Sequence, residues 1–337
     1  MESHDFVPSK HQAAGHDGCM TAGAVFAKLT TQQEIDFYEQ TLSSNEILDQ
    51  GAHLSHWMPT YMGTLNEGVI KPENADVTTM VADDVKTIEE VEKKTPKSDK
   101  KYVVLSNLYH GFSQPSILDI KLGKVLVDDT VTEEKRERLA AVSASTTSGS
   151  LHFRICGMKL FKSNDKPLPE VYPTMNETIA AQDDSIHFNK FYGRSLDTSN
   201  IEKGIAQFFA FVENPTQKER LLTRFHQRLQ LLYNCLLDSE VRIISGSLFF
   251  LFENDPKRWK EALQDEETYF ASDPLIQELD DEDSDTESTD IGIPLSSLHV
   301  IDFAHAKHTP GKGPDENIIV GVENLIDIFG RLLEACK

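Results

Sequence analysis

Apolar residues along this chain fall into two rhythms, one typical of helices and one of strands. After Asn214-Pro215, Leu222, Phe225, Leu229, Leu232 and Leu236 step by three and four. That spacing predicts an amphipathic helix over 214–238 with proline in its first turn. Ile319, Val322, Ile326, Phe329 and Leu333 predict a closing helix over 316–333. Thr31-x-x-Glu34 is a capping-box pattern and opens a third helix, with Ile35, Tyr38 and Leu42 inward. Residues 132–142 predict a capped helix whose mixed charges form a solvated face. Short continuous apolar runs at 102–105, 117–122, 151–160 and 298–303 predict buried strands instead. A strand over 241–252 is broken at Ser245-Gly246-Ser247, and the aromatic run 57–63 predicts a core strand. Residues 66–101, 162–186 and 253–294 are polar and read as loops or insertions, with 146–150 as a shorter loop.

One strand breaks its own pattern. In residues 114–124, Ile117, Leu118, Ile120 and Leu122 form the apolar run, but Asp119 and Lys121 interrupt it at a spacing of two. On a strand they project from the same face. Charges in an apolar setting need partners or a task. A buried structural ion pair would satisfy that demand, as would a site for an ionic ligand. A second strand, 298–301, ends on Asp302-Phe303-Ala304-His305, so it too delivers a carboxylate. Near the start, Gly15 and Gly18 flank His16-Asp17 in a strand–turn–strand pattern that leads to Lys28. Such a turn can lay backbone N–H groups over phosphates, and a strand lysine followed by a helix glutamate can hold them. Ordinary hairpins and solvated lysines have the same composition.

Composition narrows the picture. With 33 Lys+Arg against 55 Asp+Glu in 337 residues, the formal net charge is −22. Nonspecific binding to nucleic acid or to an anionic membrane through the whole surface is therefore excluded. Between Lys121 and Arg194, 11 basic residues meet 10 acidic ones, so this segment departs from the acidic background. Cys19, Cys156, Cys235 and Cys336 are scattered without a C-x-x-C, which points to reduced thiols rather than zinc or disulfides. No window approaches 18 apolar residues, and residues 1–10 lack a signal core, so a soluble intracellular chain is expected. Neither G-x-x-x-x-G-K-[ST] nor H-R-D occurs.

Pro115-x-x-x-Asp119-x-Lys121-x-Gly123 resembles the P-x-x-x-D-x-K-x-G signature of the inositol polyphosphate kinase family. Gly157-Met158-Lys159, Tyr192-Gly193-Arg194-Ser195 and Ile301-Asp302-Phe303 resemble further blocks in the family's order, and the likeness runs from about Gly15 to Phe329. Ala304-His305 follow the aspartate as in the family's multikinases, above all the fungal type, where the trisphosphate 3-kinases have Gly-Lys. The resemblance implies an α+β, two-lobed fold, distantly protein-kinase-like, with an antiparallel sheet in each lobe and flanking helices. It divides the chain into a nucleotide lobe over 1–108, with the insertion 66–101, and a substrate and metal lobe over 109–337. An acidic insertion falls at 262–295, where eight of the thirteen residues 278–290 are acidic.

The implied activity is ATP- and Mg²⁺-dependent phosphorylation of soluble inositol polyphosphates. The expected substrate is inositol 1,4,5-trisphosphate, taken through its 6- and 3-hydroxyls to the tetrakis- and pentakisphosphate. Lys28 is expected on the ATP phosphates, and Ser106, Leu108 and Ile301 around the adenine at the hinge. Asp119 is expected on the nucleotide, and Asp302 on the metal with Ser247 as a weaker candidate. Lys121 is expected on the transferred phosphoryl group and substrate, with Lys159, Lys190 and His305 on the inositol phosphates. An inositol hexakisphosphate kinase is the alternative specificity. A monomer in nucleus and cytoplasm is expected, with no direct nucleic-acid contact and no membrane insertion. A transcription-factor complex is a possible partner through the acidic run.

Overall fold

The computed structural model describes residues 6–8, 18–43, 51–66, 101–162, 178–182, 184–262 and 295–337. The Gly15-His16-Asp17 turn, nearly all of the 66–101 insertion and the acidic run 278–290 lie outside them.

The first sheet begins with β1 (Val7–Pro8), β2 (Met20–Ala22) and β3 (Val25–Thr30), and over Val25–Lys28 the last alternates buried and half-buried positions. Helix α1 (Gln32–Leu42) follows, N-capped by Thr31, whose hydroxyl accepts from the Glu34 amide. The predicted inner face is partly corrected: Glu34, Ile35, Phe37, Tyr38 and Thr41 are buried, and Leu42 is exposed. Residues 57–63 are not one strand. A 3₁₀ turn, Leu54–Trp57, seats Trp57 in the core, and β4 (Tyr61–Asn66) starts only after Pro59. Proline has no amide to give a ladder, so pairing begins beyond it. With β5 (Lys101–Ser106) the sheet has the order β1-β2-β3-β5-β4.

The second sheet starts with β6 (Pro115–Leu122). Its next partners in sequence are α2 (Glu133–Ala144), capped by Thr132, then α3 (Thr147–Leu151) and β7 (Phe153–Phe161). The expected 146–150 loop is therefore a short helix, started by Thr146 accepting from the Ser148 amide. The expected 162–186 loop carries β8 (Ile179–Gln182), which pairs with β9 (Ser185–Phe188). Helices α4 (Lys190–Arg194), α5 (Ile201–Ala206) and α6 (Pro215–Asp238) come next. Then β10 (Val241–Ile243) and β11 (Ser247–Glu253) confirm the break at Ser245-Gly246. The insertion begins later than expected: Glu253 is fully buried, and α7 (Pro256–Ala262) packs Trp259 inward. β12 (Ser296–Ile301), β13 (Ala306–His308) and α8 (Glu316–Glu334) complete the fold. The antiparallel order is β12-β11-β6-β7-β9-β8, with β10 and β13 as a separate pair.

Strand alternation places the core. Leu118, Ile120 and Leu122 of β6 belong to the main cluster with α6 and α8, where Phe250 stacks on Phe329 at 5.3 Å and meets Phe225 edge-on at 5.3 Å. Ile117, Phe249 and Leu251 form a second cluster on the opposite face, with Leu108, Tyr109 and Phe112 against it. That opposite face also carries Asp119 and Lys121. The buried side of α8 is rotated from the expected stripe: Ile318, Leu325 and Ile328 are inside, while Ile326 and Leu333 are only partly covered. Gly123 has φ +96°, and an added Cβ would lie 2.5 Å from Asn317 Nδ2. Glycine there admits the start of α8, whose Asn317 side chain accepts from the Lys124 and Val125 amides.

Candidate active site

Register brings the charged residues of β6 beside the end of β12. Lys121 is opposite Ser247 of β11, and Ser247 is opposite Ile301 of β12. Asp119 is likewise opposite Phe249. Directly paired residues project from one face, so Asp119, Lys121, Ser247 and Ile301 share the face turned to the first sheet. Asp302 leaves the strand immediately after Ile301 with φ +67°, a left-handed conformation that costs a non-glycine residue about 1–3 kcal/mol. Its surroundings enforce that turn. Phe303 is fully buried, stacks on Phe37 at 5.0 Å and meets Tyr38 edge-on at 5.3 Å. The Phe303 amide donates to Glu34 Oε1 at 3.0 Å.

The strained turn directs the Asp302 carboxylate at Lys28. Lys28 Nζ donates to Asp302 Oδ1 at 2.7 Å and lies 2.9 Å from Glu34 Oε1. Burial alone would push the Lys28 ammonium toward neutrality, but Asp302 and then Glu34 overcome it and hold its pKa above the ordinary lysine value. Glu34 is 1% exposed and also accepts from the Thr30 hydroxyl. The capping box is thus only half made: the Glu34 carboxylate serves Lys28 and Phe303 instead of the Thr31 amide.

Lys28 and Asp302 rim a cleft lined also by Cys19, Phe26, Tyr38, Leu105, Tyr109 and Phe249 and by Ser106, Leu108, Asp119 and Ile301. At the hinge, the Ser106 amide donates to Thr60 O at 2.8 Å and the Asn107 amide to Ala24 O at 2.8 Å. Those two amides are consumed by the first sheet. Tyr109 lies edge-on to Phe249 at 5.7 Å; its phenol is held neutral by burial and then by the Asp119 charge. A flat apolar slot ending in a lysine and two carboxylates can take a planar ring at one end and phosphates at the other.

Beyond Asp302 lies a second cluster. Lys121 Nζ donates to Ser245 O at 2.9 Å, and Ser245 Oγ donates to Leu126 O at 3.0 Å. His305 Nδ1 is 2.6 Å from Asp128 Oδ2. Arg154, opposite Lys121 on β7, is 8% exposed and donates to Ser148 Oγ at 2.8 Å. Of the predicted residues, Lys121, Ser247 and His305 fall outside the lining of the nucleotide cleft, and Lys159 and Lys190 lie farther still. Lys159 is opposite Ile117, four residues along β6 from Lys121, or roughly 13 Å at strand rise. It is 6% exposed, and burial lowers its pKa. Lys190 begins α4 at the surface, with Nζ 5.6 Å from the Phe191 ring centre.

Ser247 and Asp302 offer hard oxygen donors next to each other in the fold. Ser247 is 1% exposed, and among the described residues its Oγ has no hydrogen-bond partner. A buried hydroxyl left so is costly unless a ligand completes it. No group of three or more His, Cys, Asp or Glu residues suited to a metal occurs among the described residues. That donor set suits Mg²⁺, which needs only one or two carboxylates when phosphates and water fill its shell.

Sequence reasoning did not find Tyr109, Phe249, Tyr38 or Cys19 as lining residues: Tyr38 and Phe249 sit in ordinary apolar patterns, and Cys19 and Tyr109 in short polar stretches without a motif. Asp128 carried no signal beyond an acidic pair in a loop.

A deep cleft between two antiparallel sheets, with a lysine–glutamate–aspartate cluster at its end, defines a kinase. Residues 102–330 match the family model for inositol polyphosphate kinase, and the chain belongs to that family. It is 42% identical to the inositol polyphosphate multikinase of Saccharomyces cerevisiae, over 95% of this chain and 96% of that one. The Schizosaccharomyces pombe multikinase is 28% identical over 96% of each chain. Mouse inositol hexakisphosphate kinase 3 is 27% identical but covers 69% of this chain and 51% of its own length. A crystal structure of the S. cerevisiae multikinase Ipk2 with ADP and Mn²⁺ superposes with a TM-score of 0.67, at 40% identity over 92% of this chain and all of that one.

Proposed function

We propose that this chain is an ATP- and Mg²⁺-dependent inositol polyphosphate multikinase. The reading is supported above all by one observation: the Asp302 turn brings its carboxylate to Lys28 in the cleft, and strand register sets Ser247 and Lys121 one and two strands away from Ile301 on the same face. In this reading the adenine enters between Leu108 and Ile301, by the Ser106 hinge, and Asp119 binds the nucleotide beside it. Lys28 holds the ATP phosphates, with Glu34 fixing its position. Asp302, with Ser247, would hold Mg²⁺, which neutralises phosphate charge when bound. Lys121, two strands from Ile301, contacts the transferred phosphoryl group and the acceptor. His305 contacts the substrate, and farther out Lys159 and Lys190 bind its phosphates. Phosphoryl transfer asks chiefly for in-line placement and fixed positive charge, and Lys28 held between Asp302 and Glu34 supports the second of these.

The substrate is inositol 1,4,5-trisphosphate, phosphorylated at the 6- and 3-hydroxyls to tetrakis- and pentakisphosphate. Extended coverage of both fungal multikinases supports this over the hexakisphosphate specificity. Incubation with ATP, Mg²⁺ and the trisphosphate, with isomer-resolved products, tests it. Pyrophosphate products from the hexakisphosphate, with an inert trisphosphate, would replace it by the alternative.

A second role in the nucleus, in a transcription-factor complex, is supported by the acidic run 278–290. Deleting that run is expected to weaken partner capture and leave kinase activity intact. Unchanged capture would remove the run as the interaction surface.

A further inference from the structure

The turn that follows β12 has two sides. Asp302 reaches Lys28 of the first sheet. Three residues later His305 reaches Asp128, in the loop between β6 and α2. The His305 carbonyl accepts from the Ile244 amide at 3.3 Å, and the neighbouring Ser245 carbonyl holds Lys121. His305 therefore stands beside the Ile244–Ser245 backbone that holds Lys121, and across the turn from the residue that meets Lys28. In an in-line transfer the nucleotide phosphates occupy the Lys28 side, so the acceptor belongs on the His305 side.

Asp128 is built as a rigid support. Its Oδ1 accepts from the Thr130 amide at 2.9 Å and the Thr130 hydroxyl at 2.6 Å, leaving Oδ2 for His305. Its carbonyl accepts from Arg136 of α2 at 3.3 Å. The carboxylate is 16% exposed and the imidazole 41% exposed. Among the described residues, no hydrogen bond engages His305 Nε2.

We propose that Asp128 is a positioning residue for the acceptor. By accepting the Nδ1–H of His305 it fixes the ring tautomer and leaves Nε2 as an acceptor for the substrate hydroxyl. The hydroxyl hydrogen is then held by Nε2, and an oxygen lone pair turns toward the phosphoryl group. This deepens the reading given under Proposed function and rests on it.

The test combines kinetics and spectroscopy on the full chain. With inositol 1,4,5-trisphosphate as probe, Asp128→Ala is expected to lower kcat about 10- to 100-fold, the scale for partners that orient a histidine. Asp128→Asn keeps an acceptor for Nδ1–H and is expected to recover most of that loss. In a His305→Ala background, Asp128→Ala is expected to cost nothing further, since coupled residues are not additive. Asp129→Ala changes the exposed neighbouring carboxylate of the same loop and leaves the Asp128–His305 pair untouched, and it is expected to keep kcat within about 3-fold, as for uncoupled sites. An equal Asp128→Ala loss with and without His305, or an equal loss from Asp129→Ala, would overturn the proposal. Nitrogen-15 shifts of the His305 ring give a readout independent of turnover. Nδ1 protonated in the wild type, moving toward Nε2–H in Asp128→Ala, supports the pairing, and an Nε2–H ring in the wild type refutes it. A wild-type chain inert toward the trisphosphate would sink the functional reading, while the ring shifts would still judge the pairing.

Discussion

Glu34 is the residue whose removal should do most damage for its size. It is 1% exposed, lies 2.9 Å from Lys28 and accepts from the Phe303 amide at 3.0 Å. Glu34→Ala strands the Phe303 N–H, worth about 1–3 kcal/mol when buried unpaired. It also breaks a buried ion pair, and such losses run to about 3–5 kcal/mol in all. Lys28 keeps Asp302, so the lower part of that range is expected, about 3–4 kcal/mol. Glu34→Gln keeps an oxygen for Phe303 and loses only the charge, and about 1–2 kcal/mol is expected. Urea unfolding would read both values, with ADP titration as the functional companion. Nucleotide affinity should fall in both variants, because Lys28 is then held by Asp302 alone. If Glu34→Ala unfolds within about 0.5 kcal/mol of wild type, the range of a neutral surface change, the carboxylate does not carry the junction between the sheets.

Two other perturbations have clear expected signs. An added Cβ at Gly193 would lie 1.8 Å from the Ile155 carbonyl oxygen, so Gly193→Ala should lift α4 from β7 and cost about 2–3 kcal/mol; an unchanged urea midpoint would contradict this packing. Burial, then the Arg228 charge, holds His299 down at about 4. The unfolded chain therefore binds more protons between pH 4 and about 6.5, and stability should rise with pH across that window by up to about 3 kcal/mol. His299→Gln should flatten the slope, and an equally steep profile would place the acid sensitivity elsewhere.

What could be read in advance depended on the range of the interactions. The long helix α6 was legible because eight buried positions repeat over 24 residues. β6 was legible because two charges at a spacing of two stand out in an apolar run. The β8–β9 hairpin was not, since each strand has only four residues and no clean alternation. α3 was missed because Thr147-Ser148-Gly149-Ser150 has loop composition, and only the Thr146 cap makes it helical. At the site, Asp119, Lys121 and Asp302 could be named, but their meeting could not be derived locally. The bond from Phe303 to Glu34 spans 269 residues, and the one from His305 to Asp128 spans 177. Periodicity sees one turn or one strand at a time, so it offered Glu34 as a cap and as a partner for Lys28, missed its bond to Phe303, and gave no hint of Asp128.

Asp302→Asn tests the central claim most directly, assayed with ATP, Mg²⁺ and inositol 1,4,5-trisphosphate after a melting curve has shown cooperative folding. The amide preserves the side chain's shape and removes the charge that would face the metal. The expected result is a folded protein with kcat lowered at least about 100-fold, the scale of losing one fixed electrostatic contact to the transferring group. A folded Asp302→Asn variant that turns over at the wild-type rate would contradict the account.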